Sequence, residues 1–178
     1  MSIGLKRGMV TVEPHQSEWE LEACRTIDCL RDLLTGTAAD IQHVGSTAVK
    51  GICAKPIIDI AVGVNSIDDM LSKNDILEAN GFVFRGQDIP DQYLYVRGGD
   101  DYRTHHIHVV RYGSVEWKNY LNLRDYLNSN EEDARAYSEL KGQLAAKYHD
   151  DRESYTNAKS RMISDLLIKA AKAKGQYE

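Results

Sequence analysis

The stretch His43-Val-Gly-Ser-Thr-Ala-Val-Lys-Gly-Ile-Cys-Ala-Lys-Pro-Ile-Ile-Asp-Ile60 decides the fold. Its second half runs into Pro56–Val64, an almost wholly apolar run that predicts a central strand covered on both faces. Side chains alternate along a strand. Ile57, Asp59, Ala61 and Gly63 then share one face, and Ile58, Ile60, Val62 and Val64 share the other. A carboxylate inside such a strand is costly unless it has a partner or a task. Asp59 has only the small residues Ala61 and Gly63 beside it on its face, which leaves room for a ligand. Pairing with a buried Lys or Arg, or with backbone amides, is the competing expectation. The first half reads as a strand, Ala39–Val44, closed by the turn Gly45-Ser46-Thr47. Glycine permits a tight turn and close backbone approach, and the following amides and hydroxyls can hold phosphate oxygens. Lys55, just before Pro56, can reach an anion. No G-x-x-x-x-G-K-[ST] loop occurs.

Before this core, Ser17 with Glu20 three residues on predicts a capping box. Trp19, Ala23, Ile27, Leu30 and Leu34 follow at helical spacing, and Gly36 ends that helix. The first ten residues read as frayed or as an edge strand. Beyond the core, Ser66 with Asp69 predicts a capped helix ending near Asn80-Gly81. Phe82–Arg85, Gln92–Arg97 and Thr104–Arg111 read as strands in antiparallel pairs. Three helices follow, over about 115–128, 131–148 and 154–174. Helices that flank a mixed sheet and gather at the C-terminal end make an α+β fold. The whole chain, 1–178, reads as one domain.

Composition narrows the class of function. The net charge of −5 disfavours an extended nucleic-acid surface. Gly 13 and Pro 3 exclude collagen-like and Pro-rich linker classes. No apolar run nears the ~20 residues of a bilayer span, and Met1–Val10 lacks the apolar stretch of a signal peptide, so the expected partner excludes membrane and the expected location is cytoplasmic. Cys24, Cys29 and Cys53 form no C-x-x-C pair and read as reduced thiols, the first two as small core residues.

Thr104-His-His-Ile-His108 carries the remaining chemistry. On a strand His106 and His108 share a face and His105 points away. With Asp59 on a neighbouring strand they would form a two-His-one-carboxylate set for a metal or phosphate. A polar face of merely hydrogen-bonded histidines is the bland alternative. A histidine-triad hydrolase would need a third His at position 110, which is Val110. Arg124, Asp125, Tyr126 and Lys141 read as solvated helix faces, and Tyr155 with Lys159 as a packed, four-apart pair.

His43–Val49 with Lys50-Gly51 and Ala54–Ile60 closely resembles the signature of the GrpB family. The likeness continues at His106–His108, Leu123–Leu127, Ala136-Tyr137, Leu140-Lys141 and Asp151-Arg152 through Tyr155 to Lys159. It spans roughly residues 10 to 172. The family resembles a branch of the nucleotidyltransferase superfamily, which implies a nucleotidyltransferase-like mixed sheet flanked by helices. The resemblance implies that Gly45, Ser46 and Thr47 grip nucleotide phosphates, that Lys55 and Lys159 neutralise them, and that Asp59 binds metal. It also places Ala61 where a second acid belongs and the His106/His108 strand where a third acid belongs. Mg²⁺ prefers oxygen ligands, and imidazole suits Zn²⁺, Mn²⁺ or another transition metal. The expected cofactor is therefore a divalent metal, Mg or Mn, with Zn or another transition metal open because of the histidines. GrpB-type domains are also similar to ones fused to dephospho-CoA kinase. The implied partner is a nucleotide or phosphorylated small molecule. Three functions stay open: transfer of a nucleoside monophosphate to an acceptor, non-catalytic anion binding, and metal-dependent phosphoester hydrolysis at Asp59, His106 and His108.

Overall fold

The computed structural model describes residues 3–99 and 101–175. Residues 1 and 2 of the expected N-terminal fray lie outside the described residues. The next segment is a short edge strand, β1 (Leu5–Lys6), and then α1 (Glu18–Leu33) and β2 (Ala38–Val44) follow. β3 (Ile58–Val64) leads through a 3₁₀ segment to α2 (Asn74–Ala79). Then come β4 (Val83–Ile89), β5 (Gln92–Arg97), β6 (Tyr102–Arg103) and β7 (His105–Arg111). The chain ends in α3 (Val115–Ser129), α4 (Glu131–Lys147) and α5 (Arg152–Ala173).

Five strands form one mixed sheet in the order β2-β3-β7-β5-β4, and β1 pairs with β6 in a separate ribbon. Only β3 and β7 run parallel, and the other neighbours in the large sheet are antiparallel. β3 therefore has a partner on each edge, as its apolar run predicts. One face carries Ile58, Ile60, Val62, Ile107 and Val109 against Trp19, Ala23 and Leu30 of α1. The other carries Val44, Ala61 and Val110 against Trp117 of α3. α4 and α5 pack beyond α3 through Leu127, Ala134, Tyr137 and Leu166. The fold is α+β, with α3, α4 and α5 gathered at the C-terminal end.

The helix opens at Ser17 as expected, but its cap, and the form of the helix after Ser66, differ from expectation. Ser17 already has helical torsions, φ −61° and ψ −25°, and makes no side-chain cap bond. The Glu20 amide goes to the Ser17 carbonyl instead, at 3.1 Å. The segment after Ser66 is 3₁₀ over Ile67–Lys73 before it becomes α2. Its short polar side chains compete for the backbone, as when Ser72 Oγ donates to the Asp69 carbonyl at 2.7 Å. Cys24 is exposed, not core, while Cys29 is half-buried and packs at the margin of the core. The buried stripe of α1 is Trp19, Ala23, Thr26, Ile27 and Leu30. At about 100° per residue, both cysteines lie a quarter turn or more from its axis.

Candidate functional site

The site grows from two strand registers. Antiparallel pairing sets Val44 opposite Asp59, so the turn leaving β2 lies over the carboxylate. Parallel pairing sets His106 opposite Asp59 and His108 opposite Ala61. Asp59, His106 and His108 then project from the same face. His106 Nδ1 and His108 Nε2 each lie 3.2 Å from Asp59 Oδ1. One ligand atom from each residue lies within 4.8 Å of the others, and among the described residues this is the one such group. Burial would raise the Asp59 pKa, but hydrogen bonds and charge from His106 and His108 hold it well below the usual carboxylate range. The side chain keeps 27% exposure, so a ligand can reach it. One carboxylate and two imidazoles fit a transition metal better than Mg²⁺.

Gly45 is required by this geometry. Its φ is +70°, and a Cβ there would lie 2.6 Å from Asp59 Oδ2. Gly45→Ala is expected to destabilise the fold by about 1–3 kcal/mol and to push Asp59 out of register with the histidines. Urea midpoints and metal titration on that variant test this, and a midpoint and metal affinity equal to wild type would refute it.

The expected phosphate turn is a 3₁₀ segment, Ser46–Ala48. Ser46 lies beside the Tyr137 hydroxyl of α4, and both line the same cavity. Thr47 is buried, and its Oγ1 lies 2.9 Å from His43 Nε2. Burial, the largest influence, lowers the His43 pKa to about 4, with Arg124 adding to the shift and Asp59 opposing it. His105 points to the opposite face, where its Nε2 lies 3.1 Å from Thr26 Oγ1 of α1. At the second-acid position, Ala61 is fully buried against Val44, Val110 and Trp117.

His108 is held from two further sides. Tyr120 of α3 stacks on its ring at 5.1 Å, and Gln92 Nε2 of β5 lies 3.4 Å from its Nδ1. The Tyr120 hydroxyl donates to Gln92 Oε1 at 2.8 Å. Contacts of this kind orient metal-ligating histidines.

Two cavities meet at Asp59, Ser46 and Lys159. The larger, about 340 Å³, has walls that include Leu123, Leu127, Tyr137, Ile163 and Leu167. The smaller, about 200 Å³, is lined by Lys55, Lys141, Arg152 and Lys159. Lys55 and Lys159 both sit over the Tyr155 ring, at 5.3 and 4.8 Å. Tyr155 is buried, and it also lines the smaller cavity.

Two sequence expectations fail here. Lys141 is buried, not solvated: it donates to the Cys53 carbonyl and lies over the Tyr137 ring at 4.5 Å. A signal existed, because Lys141 falls on the buried stripe Ala134, Tyr137, Lys141, Ala145 of α4. Arg124 is a latch, donating to Gln42 Oε1 and the His43 carbonyl at 3.0 Å each while lining the larger cavity. Gln92 and Tyr120 had no sequence signal, since each reaches the site only through packing of distant elements, and Arg152 was marked only by the family likeness at Asp151-Arg152.

The fold and site together define an α+β protein with a carboxylate and two imidazoles set between an apolar and a cationic cavity. The chain belongs to the GrpB family, whose model, described as GrpB protein, matches residues 9–169. The glutamate-rich protein GrpB of Alkalihalophilus pseudofirmus is 35% identical over 170 residues, covering 93% of this chain and 98% of that one. A crystal structure of protein GrpB from Enterococcus faecalis superposes with TM-score 0.87 at 28% identity, covering 92% of this chain and 99% of that one. Cid1 poly(U) polymerase, bound to MgATP, is a more distant neighbour, with TM-score 0.47 and 15% identity. This chain spans 50% of that chain's length, and a likeness so loose carries no argument about chemistry. Among the described residues no helix is long and apolar enough to cross a membrane.

Proposed function

We propose that this protein transfers a nucleoside monophosphate from a nucleoside triphosphate to an acceptor, with a divalent metal held by Asp59, His106 and His108. The observation that carries this reading is the Gly45-Ser46 turn pressed onto a carboxylate that two imidazoles share, where the two cavities meet. The bound metal would polarise the phosphoryl oxygens. Gly45, Ser46 and Thr47 border the phosphates, and Lys55 and Lys159 offset their charge. The acceptor oxygen bonds the α-phosphorus, the bond to the β-phosphate oxygen breaks, and pyrophosphate leaves. The acceptor proton leaves to solvent water, since a histidine that holds the metal through its one basic nitrogen cannot also accept it. Nucleotide binding and a cytoplasmic setting belong to this same proposal.

A second reading, an anion-binding module without turnover, is favoured by Ala61. Its packing leaves no second carboxylate at the centre. The test incubates α-labelled nucleoside triphosphates with Mg²⁺, Mn²⁺ or Zn²⁺. Labelled product and pyrophosphate, both lost in Asp59→Ala, are expected. Saturable binding without pyrophosphate would favour the module. Release of inorganic phosphate with no acceptor would favour hydrolysis.

A further inference from the structure

The cationic cavity holds more positive charge than one phosphate requires. Lys55, Lys141, Arg152 and Lys159 converge on about 200 Å³ beside Asp59, in a chain whose net charge is −5. Among the described residues none of the four makes an ion pair, and the ion pairs of other lysines and arginines lie elsewhere. Three of them rest on tyrosine rings instead: Lys55 and Lys159 on Tyr155, and Lys141 on Tyr137. The group extends outward, because Lys55 and Arg152 also line a narrow cleft with exposed Lys6 and Arg7. Like charges gathered in a partly buried space repel one another, and their desolvation is costly. Their burial lowers the pKa of Lys55 and Lys141, with the neighbouring cations adding to each shift. Such a cluster opposes folding unless an anion joins it.

We propose that this cluster binds an oligophosphate chain of three or more phosphates, alongside a single divalent metal at Asp59, His106 and His108. The four side chains neutralise charge that a second metal would otherwise take. The inference rests on the metal reading above and deepens it by naming the ligand's charged part. One metal-capable group exists among the described residues, and the second-acid position is filled by Ala61 in an apolar cluster. The divalent metal and Asp59 together leave a single net positive charge, so most of the positive charge comes from the side chains and selects a polyanion. A free chain and the chain of a nucleotide share this chemistry.

Isothermal titration with inorganic phosphate, pyrophosphate and triphosphate, each with Mn²⁺, tests the proposal without any nucleotide chemistry. Affinity should climb with each added phosphate, with one Mn²⁺ per chain at saturation. Lys55→Met and Lys141→Met should each weaken triphosphate binding by about tenfold or more. Both variants should melt no lower than wild type without anion, apart from the Cys53 carbonyl that Lys141→Met leaves unpaired. Lys55→Met avoids that loss and keeps the test open if Lys141→Met fails to fold. Equal affinity for phosphate and triphosphate overturns the proposal. So does binding insensitive to Lys55→Met, or two Mn²⁺ per chain. ATP should bind through the same lysines, and ATP binding indifferent to Lys55→Met also overturns it. A single-stranded RNA without a terminal triphosphate that binds more tightly than triphosphate overturns it in favour of nucleic acid. The transferase reading fails separately: triphosphate can bind as proposed while labelled nucleotides yield no product.

Discussion

Asp59→Ala is expected to abolish divalent-metal binding while leaving the protein folded. Asp59 supplies the one anionic donor of the three-residue group, and both imidazoles converge on its Oδ1. Loss of an outer contact to a ligand typically costs 10–100-fold in metal affinity, so loss of the charged donor should cost more than about a hundredfold. The fold should survive. The carboxylate is 27% exposed, and the two histidines it releases are 12% and 15% exposed, so water can replace its bonds in part. The cost should be about 1–3 kcal/mol. Equilibrium dialysis against Mn²⁺ and Zn²⁺ with metal analysis, beside urea midpoints, separates the two effects. Wild-type metal content in Asp59→Ala would show that the metal sits elsewhere. A collapsed midpoint with Asp59→Asn as well would show that the carboxylate is structural.

The second large effect is acid lability from two histidines outside the Asp59, His106 and His108 group. His43 and His105 are both lowered from 6.5 to about 4, burial being the first cause in each. Arg97 adds to the shift of His105, and Asp59 opposes it. The fold therefore holds both imidazoles neutral, while the unfolded chain protonates them near pH 6.5. Their contribution is fully present above pH 6.5 and is lost as pH falls from 6.5 toward 4. At 1.36 kcal/mol per unit, each is worth up to about 3 kcal/mol. Asp59 acts in the same direction at lower pH. Its pKa is depressed, so its contribution is present above the ordinary carboxylate value and is lost as pH falls below it. The urea midpoint should therefore fall steeply from pH 6.5 downward. His105→Gln should be destabilised at neutral pH yet show about half the slope in that window. A pH-independent midpoint there would mean that the two imidazoles are not held neutral. Glu22 Oε1 lies 3.6 Å from His105 Nε2, but the Thr26 hydroxyl is closer at 3.1 Å and needs no charge on the ring.

Strand content and faces were legible because alternation is a local property. Ile58, Ile60 and Val62 against Asp59 and Ala61 separate the two faces of β3 whatever lies beyond them. The same alternation divides His105 from His106 and His108. The three C-terminal helices were legible from apolar spacing. The missing side-chain cap at Ser17 and the 3₁₀ form of the helix after Ser66 were not. A capping residue acts only with extended torsions and an unclaimed amide ahead of it, and Ser17 has neither. Lys141 was misplaced because a lone cation on an apolar stripe reads as solvated until a carbonyl and a ring are known to meet it. Cys24 failed for the converse reason: an apolar residue type does not fix its angle on the helix.

By itself, the sequence determined the α+β class, the β3 strand with its single carboxylate, the turn at Gly45 and the facing of His106 and His108. These follow from local sterics, from two-residue alternation and from the cost of placing a charge in an apolar strand. Only the tertiary structure decided that β3 and β7 run parallel with Asp59 opposite His106, which gathers Asp59, His106 and His108. It alone also brought Lys141 of α4 and Arg152 and Lys159 of α5 to Lys55, and Tyr120 and Gln92 to His108. Those meetings join residues far apart in the chain, and the packing of α3, α4 and α5 against the sheet sets them, not any periodicity within a single element.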